Sequence, residues 1–171
     1  MGGVILLRNV KQRGFTLIEL MVALVVLGIL LSIGIPSFNS IIESTNLRSV
    51  THSLNSATQL ARSEALDRRN EDVAVCRANG AFSACSFGAD WSSGWVVVAL
   101  TGADLETNTD VEVIRVWEAV DITVSGAANG FVFNGSGRAP TNGDLQIQNN
   151  TESRCLRVNG SGRAAVVEGG C

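Results

Sequence analysis

The chain has 171 residues, of which 46% are hydrophobic and 17% are charged, and this composition excludes a disordered tail. Its 13 basic and 16 acidic side chains give a net charge of −3, which excludes a strongly cationic nucleic-acid wrapper. The chain has one His and no Tyr, and it shows no Ser/His/acid or paired-carboxylate pattern. We therefore predict a protein that is not an enzyme.

The first predicted element is an apolar run of 21 residues from Phe15 to Ile35, in which Thr16, Glu19 and Ser32 are the polar residues. A helix of that length spans roughly 30 Å, enough to cross a bilayer. The alternatives are a buried helix of a soluble protein and a signal peptide. The run is long for either, and no small-residue cleavage site follows it. The pattern predicts a retained transmembrane helix.

Positive charge precedes this run at Arg8, Lys11 and Arg13. The positive-inside rule then places the N-terminus in the cytoplasm and the rest of the chain outside it. A carboxylate within a membrane segment costs on the order of 3 kcal/mol even on insertion scales. We therefore expect Glu19 to have a cationic partner, supplied by another chain or by a new N-terminal amine.

Residues 11–20, KQRGFTLIEL, resemble the prepilin processing motif of type IV pilins and type II secretion pseudopilins. The resemblance implies that a prepilin peptidase removes residues 1–14 as a leader. The cut would fall between Gly14 and Phe15, and Phe15 would then be N-methylated. It also implies that Glu19 pairs with the N-terminal amine of a neighbouring subunit during assembly, which would supply the missing cation.

Residues 36–70 are predicted to form an amphipathic, periplasmic half of the same helix. Pro36 matches a proline that kinks the helix in this family, and an interior proline removes a hydrogen bond and bends the axis. Apolar residues recur along one face at spacings of three and four: Leu47, Val50, Leu54, Ala57 and Ala61. Asn70 is expected to end the helix. His52 is expected to face solvent or to lie at the solvent boundary. No second ligand lies near it with metal-binding spacing, which argues against a metal site.

Residues 71–171 are predicted to form a β-rich globular domain, because short β-type runs alternate with Gly, Asn, Asp and Ser clusters. The candidate strands are 73–77, 95–100, 111–117, 122–125, 131–133, 145–148, 155–158 and 164–167. One long helix packed on antiparallel strands gives an α+β fold, which the resemblance identifies as type IV pilin-like. Trp91 and Trp95 are expected in the core, with a carbohydrate-binding pair as the alternative.

The sequence NGSGRA occurs at residues 134–139 and again at residues 159–164. The Asn-Gly start predicts tight turns. A phosphate-binding loop is a weaker interpretation, since the Gly-Lys-Ser/Thr ending and a following helix are missing. Residues 131–138, with the later Gly162-Arg163, resemble the C-terminal part of GspH/FimT-type minor pilins. Residues 59–65 and 91–95 also resemble segments of this group.

Four cysteines follow the predicted membrane segment: Cys76, Cys85, Cys155 and Cys171. Outside the cytoplasm disulfides persist, and the lack of Cys-x-x-Cys argues against zinc. Of three possible pairings we favour Cys76–Cys85 and Cys155–Cys171, which close short loops. The acidic alternation at 104–112 would suit calcium, but it lacks the EF-hand glycine and fits a strand equally well. We predict no metal and no cofactor.

Without the leader the chain would carry 10 basic against 16 acidic side chains, a net charge of −6. The basic residues of the last quarter are all Arg: Arg138, Arg154, Arg157 and Arg163. Some pilins of this group bind DNA through a C-terminal Gly-Arg-x-Arg motif, and here Gly162-Arg163-Ala164-Ala165 lacks the second Arg. The four Arg are therefore candidates for binding DNA or another anion, or else are solvated or paired with acidic residues.

Taken together, the resemblance implies a minor pilin with one span in the bacterial inner membrane and a periplasmic domain. It would be processed by prepilin peptidase and would join other pilins in a helical filament. We favour a role in type IV pilus assembly or initiation, with adhesion or DNA uptake as further roles. The alternative is a minor pseudopilin of the protein H type in the type II secretion pseudopilus, driving protein secretion.

Overall fold

The computed structural model describes residues 14–100 and 111–171, without the side chains of residues 33–39. One helix, α1, is followed by eight strands: α1 Leu17–Arg68, β1 Asp72–Arg77, β2 Trp95–Leu100, β3 Val111–Trp117, β4 Thr123–Gly126, β5 Phe131–Phe133, β6 Gly143–Gln148, β7 Ser153–Val158 and β8 Ala164–Glu168. The leader residues Arg8, Lys11 and Arg13 lie outside the described residues, as does the candidate calcium run up to position 110.

The chain divides after Ile41 into two units. In the first unit, the large apolar side chains between Phe15 and Leu31 are 50% to 86% exposed. These side chains therefore have little cover from the described part of the chain. Over the described residues, no helix meets both the length and the apolarity required to traverse a membrane.

In the second unit, α1 buries the stripe that its sequence predicts. Leu47, Leu54, Ala57 and Ala61 are fully buried, and Val50 is nearly so. His52 lies off this stripe and is exposed, with its Nδ1 atom 3.4 Å from the Ser56 hydroxyl. The helical periodicity of residues 47–61 is confirmed, and so is the boundary position of His52.

The helix ends one residue earlier than expected. Arg69, not Asn70, adopts the left-handed conformation, with φ of 55°. The amide of Asn70 then donates to the carbonyl of Arg68 at 2.6 Å. Gly135 packs so closely under the Arg69 carbonyl that a Cβ atom there would overlap it. A residue with a side chain would therefore not fit at position 135 beside this helix end.

The strands form two four-stranded sheets, in the orders β3-β2-β1-β5 and β4-β6-β7-β8, and every pairing is antiparallel. All eight predicted strands are confirmed, with ends that differ by at most two residues. The division into two sheets was not predicted, because hydrophobic alternation identifies strands but does not identify their neighbours.

One core joins both sheets to the second half of α1. It contains Val75 and Phe133 from the first sheet and Leu145 and Leu156 from the second, all fully buried. Trp91 is also fully buried in this core, and Trp95 is 1% exposed. The carbohydrate-binding interpretation of this Trp pair is therefore wrong, because neither ring can present a face to a sugar.

Both favoured disulfides are present. Cys76 and Cys85 have Cα atoms 5.5 Å apart, and Cys155 and Cys171 have Cα atoms 5.1 Å apart. Loops of this length each contribute on the order of 3 kcal/mol by the chain-entropy model. The second bond fixes Cys171 to β7, and the Cys171 amide also donates to the Gln146 side chain at 3.2 Å.

The repeated NGSGRA segments form two equivalent tight turns, which we call the twin turns (residues 134–139 and 159–164). In the first turn, the Asn134 side-chain oxygen accepts from the amides of Ser136 and Arg138, both at 3.1 Å. The second turn repeats these bonds from Asn159 to Ser161 and Arg163, at 3.2 Å and 3.1 Å. The turns also contact each other, since the Ala139 amide donates to the Gly160 carbonyl at 3.3 Å.

This packing predicts that Gly162→Ala destabilises the domain. Gly162 has φ of 75°, and a Cβ atom there would overlap the Gly137 carbonyl oxygen of the other turn. We expect a loss of about 1–3 kcal/mol in the free energy of unfolding, measured by urea denaturation of the purified chain. The matched control is Gly160→Ala in the same turn, where the nearest atom is 3.7 Å from the added carbon. Equal stability of the two variants would contradict the proposed packing.

Candidate functional site

The first candidate site is the start of α1. The Thr16 hydroxyl accepts from the Glu19 amide at 3.3 Å, and the Thr16 carbonyl accepts from the Leu20 amide at 3.2 Å. Thr16 therefore caps the helix, and Glu19 occupies the third helical position, where a carboxylate is favoured by the helix dipole. This capping role of Thr16 and Glu19 was not predicted, although the Thr-x-x-Glu spacing is the usual sequence signal for it.

The predicted cleavage site directly precedes this cap. Gly14 is exposed and lies outside any helix or strand, and Phe15 is 86% exposed. The peptide bond between them is open to a peptidase in this structure. Glu19 is also exposed, and its carboxylate makes no ion pair within the described part of the chain. Pro36 lies within α1, but its side chain is outside the described atoms, so its role stays a prediction.

The four candidate Arg residues divide into two pairs with different surroundings. Arg157 lies on β7 and binds Asp144 of β6 through several hydrogen bonds of 2.9 to 3.1 Å, which raise the pKa of its guanidinium. Arg154 lies 3.7 Å from Glu168 of β8. These two Arg therefore already face carboxylates on neighbouring strands.

Arg138 and Arg163 occupy the same position in each of the twin turns, and both are exposed. Neither makes an ion pair with the residues that the structure describes. Arg62 of α1 lies against the same turns, with its Nε atom 3.3 Å from the position that a Cβ atom on Gly137 would take. The Arg62 Nε atom is buried and has no hydrogen-bond partner among the described residues. This position of Arg62 was not predicted, because the neighbouring turn is 75 residues away in the chain.

A charged network that we did not predict surrounds Arg68 in the last turn of α1. Its guanidinium binds Glu112 of β3 through two hydrogen bonds of 2.9 and 3.1 Å, and it also contacts Glu71 at 3.1 Å and Glu64 at 3.4 Å. The hydrogen bond and charge of Arg68 lower the pKa of Glu112. The Glu112 bond raises the pKa of Arg68, with a further contribution from Glu71. This network ties the helix end to the edge strand of the first sheet.

Within the described ranges, one group of three metal-type ligands has its atoms within 4.8 Å of one another, and it consists of Asp144, Cys155 and Cys171. The two cysteines are joined as a disulfide, so they offer no thiolate to a metal. The group does not make a metal site.

Two family profiles match the sequence. Residues 50–162 match the profile described as Type II transport protein GspH, and residues 9–35 match the prokaryotic N-terminal methylation motif. The chain belongs to the GspH family. The family and the motif together imply processing by a prepilin peptidase and assembly with other pilin-type subunits, so this is a structural protein of the pilin class and not an enzyme.

The fold agrees with this family membership. Two crystal structures of the Pseudomonas aeruginosa (strain PAO1) type IV minor pilin FimU resemble the chain. They have TM-scores of 0.53 and 0.55 and 21% and 22% sequence identity. The matches cover 70% and 73% of this chain and 91% and 90% of the FimU chains. They show that the fold is the type IV pilin-like α+β fold. No curated protein matches the sequence significantly.

The Arg68 network predicts that Glu112→Gln weakens the domain in a pH-dependent way. Because the folded pKa of Glu112 lies below its usual 4.5, its contribution is present above that value and is lost as the pH falls through the lowered pKa. We expect a small decrease in Tm at neutral pH that disappears on acidification, measured by thermal unfolding across the acidic range. Glu118→Gln, at an exposed position just after β3, is the control. A decrease that persists unchanged in acid would contradict the role of the ionised carboxylate.

Proposed function

We propose that this GspH-family chain is a minor pilin that takes part in type IV pilus assembly or initiation. The observation that carries the proposal is the arrangement at the start of α1. There, Gly14 and Phe15 are exposed, the Glu19 carboxylate has no ion pair within the described residues, and an exposed apolar surface extends from Phe15 to Leu31. The exposed apolar surface and the exposed Gly14–Phe15 bond do not stabilise the isolated chain, and both have a use in a subunit that is processed and assembled.

The leader, residues 1–14, is removed on the cytoplasmic face of the inner membrane, and Phe15 becomes the N-methylated terminus. Residues 15–35 are held in the membrane before assembly, and in the filament they pack against the helices of other subunits. Both surroundings are apolar, and each Å² of apolar surface kept from water is worth roughly 25 cal/mol. The β-rich domain, residues 71–171, and the amphipathic half-helix, residues 36–70, remain on the periplasmic side.

Glu19 supplies the register of this packing. In an apolar helical bundle an unpaired carboxylate is costly, and two opposite charges attract far more strongly than in water. The methylated amine of Phe15 remains a cation. A subunit placed so that its Phe15 amine meets the Glu19 carboxylate of its neighbour satisfies both charges, whereas a subunit shifted by one helical turn leaves both unpaired.

A minor pseudopilin of the type II secretion system is the alternative. It is favoured by the description of the matching family profile, which refers to type II transport. The processing, membrane and filament steps would be the same in both systems. The two roles differ in what fails when the protein is absent, namely surface pili in one case and release of folded exoproteins in the other.

The pilus role predicts that deletion of the gene removes surface pili, measured by the amount of sheared filament. Wild-type chain should restore them, and Glu19→Ala should leave them at the level of the deletion, because its helix no longer pairs with a neighbouring amine. Glu118→Ala is the matched control, since it removes an exposed carboxylate from the globular domain. Normal pili in the deletion strain, together with a loss of exoprotein release, would overturn the pilus role in favour of secretion.

DNA uptake is a second candidate function, supported by Arg138 and Arg163. Both side chains are exposed on adjoining turns and lack an ion pair in the described chain, as a phosphate-binding surface requires. Arg157, by contrast, is held by Asp144.

This candidate predicts that replacing Arg138 and Arg163 by Ala weakens binding of double-stranded DNA. It should also reduce the slope of log K against log salt by about one unit for each phosphate that is no longer neutralised. Arg157→Ala should change both quantities much less. Fluorescence anisotropy with a labelled duplex at several salt concentrations measures them. DNA affinity that is undetectable, or equally sensitive to all three Arg, would count against this role.

A further inference from the structure

A polar cleft of about 520 Å³ lies in the second unit, between α1, the loop that precedes β4 and the turn between β6 and β7. Glu43 and Asn46 line it from the helix, Asp121 from the loop, and Gln148, Asn149 and Asn150 from the turn. None of the functions considered above uses this cleft.

The walls of the cleft are held in place by the fold. The Asn149 side-chain amide donates to the Glu43 backbone carbonyl at 3.2 Å, which ties the turn to the helix. The Asn149 side-chain oxygen accepts from the amides of Thr151 and Glu152, at 2.9 and 2.7 Å. The opposite wall is fixed by Ser92, whose carbonyl accepts from the Val120 amide at 2.9 Å and whose hydroxyl accepts from the Val124 amide at 3.0 Å. A partner would therefore meet a preformed surface.

The lining determines the chemistry of that partner. It carries two carboxylates, those of Glu43 and Asp121, together with the side-chain amides of Asn and Gln residues, and no Lys or Arg is among the described lining residues. Within the described chain, these two carboxylates do not form a group of three metal-type ligands close enough to bind one ion. The cleft is also larger than a bare metal ion. A guanidinium group fits this lining, because it offers five donors to carboxylate and amide oxygens.

The same chain presents two such groups on the twin turns. Arg138 and Arg163 are exposed and unpaired within the described residues. The Asn134 and Asn159 hydrogen bonds hold both turns in one conformation. Because the turn backbones are already fixed, binding would cost conformational entropy only in the Arg side chains.

The cleft and the twin turns occupy opposite ends of the domain. The cleft borders α1 at Glu43, and the first twin turn packs on α1 at Leu66, with the Leu66 Cδ2 atom 3.1 Å from the Cβ position of Gly137. The helix advances roughly 35 Å between these two residues at 1.5 Å per residue. Complementary surfaces at opposite ends of one molecule make a head-to-tail contact, which repeats along an axis, and do not make a closed dimer.

We propose that the acidic cleft of one chain receives the arginine-bearing twin turns of a second copy. This contact lies in the globular domain, so it acts in addition to the pairing of Phe15 with Glu19 and does not depend on it. Because the two surfaces lie roughly 35 Å apart along α1, the contact joins subunits that are farther apart than those paired through Phe15 and Glu19, and it selects the partner by charge.

Photo-cross-linking of the full-length chain in cell membranes tests the contact. A photoreactive phenylalanine analogue replaces Thr123, an exposed residue of the cleft lining. Extracts are treated with nuclease so that DNA cannot bridge the chains. We expect a cross-linked dimer whose attachment point, mapped by mass spectrometry, falls within residues 134–139 or 159–164 of the second copy.

Charge exchange then tests the recognition. Asp121→Arg alone should lower the cross-linked fraction about tenfold, and so should Arg163→Asp alone, because each places like charges in every contact. The double variant Asp121→Arg/Arg163→Asp restores opposite charges in every contact and should recover most of the dimer. Glu118→Arg, outside the cleft, is the control for a change of net charge.

Recovery in the double variant also shows that neither single change acts by preventing folding. A cross-link to another protein, a cross-link to a different part of the second copy, or no cross-link would each overturn the proposal. So would single variants that cross-link as well as the wild type, or a double variant that stays at the level of the singles.

Discussion

The stripe of small and aliphatic side chains on the second half of α1 is the contact on which the rest of the domain depends. The two sheets share no strand, and each has only four strands, so neither could bury an adequate core alone. Leu47, Leu54 and Ala61 are fully buried in the core that also receives side chains from both sheets. The alanines at positions 57, 61 and 65 are fully buried in the same core. Loss of this stripe would separate the sheets and remove the surfaces that lie between them and the helix.

The same helix carries two different apolar surfaces, one after the other along the chain. From Leu47 onward its apolar residues face the domain, whereas from Phe15 to Leu31 they remain exposed. A helix that was only structural would not keep an apolar surface of this size in water. The separation of these surfaces matches a subunit that folds through one end of its helix and assembles through the other. Glu19 lies in the exposed part of the helix, and the Arg68 network ties the other end of the helix to the first sheet.

The sequence predicted most of the secondary structure because its signals are local. Residues 47–61 have helical periodicity, and the NGSGRA segments have the residues that tight turns require. The division into two sheets, the end of α1 at Arg69 and the contact between the twin turns were not predicted, because each depends on residues far apart in the chain. Gly135, for example, packs against the Arg69 carbonyl from 66 positions away.

The candidate site, like the fold, could be predicted only in part from the sequence. The motif at residues 11–20 and the four cysteines could be interpreted from the sequence, since their chemistry follows from spacing and compartment. The four C-terminal Arg residues looked equivalent, yet two face carboxylates across β-strands and two project from the turns. The cleft near Glu43 was invisible in the sequence, because its lining comes from four separate segments of ordinary polar residues.

The central claim is that this chain is a processed pilin-type subunit. The most direct test is to determine the N-terminus of the protein isolated from membranes, by intact mass and terminal peptide sequencing. We expect a chain that begins at Phe15, carries one additional methyl group on its amine and lacks residues 1–14. A chain that retains Met1, or one that is cut after the apolar run, would contradict the claim. Its α1 would then lack the terminal amine that we propose as the partner of Glu19.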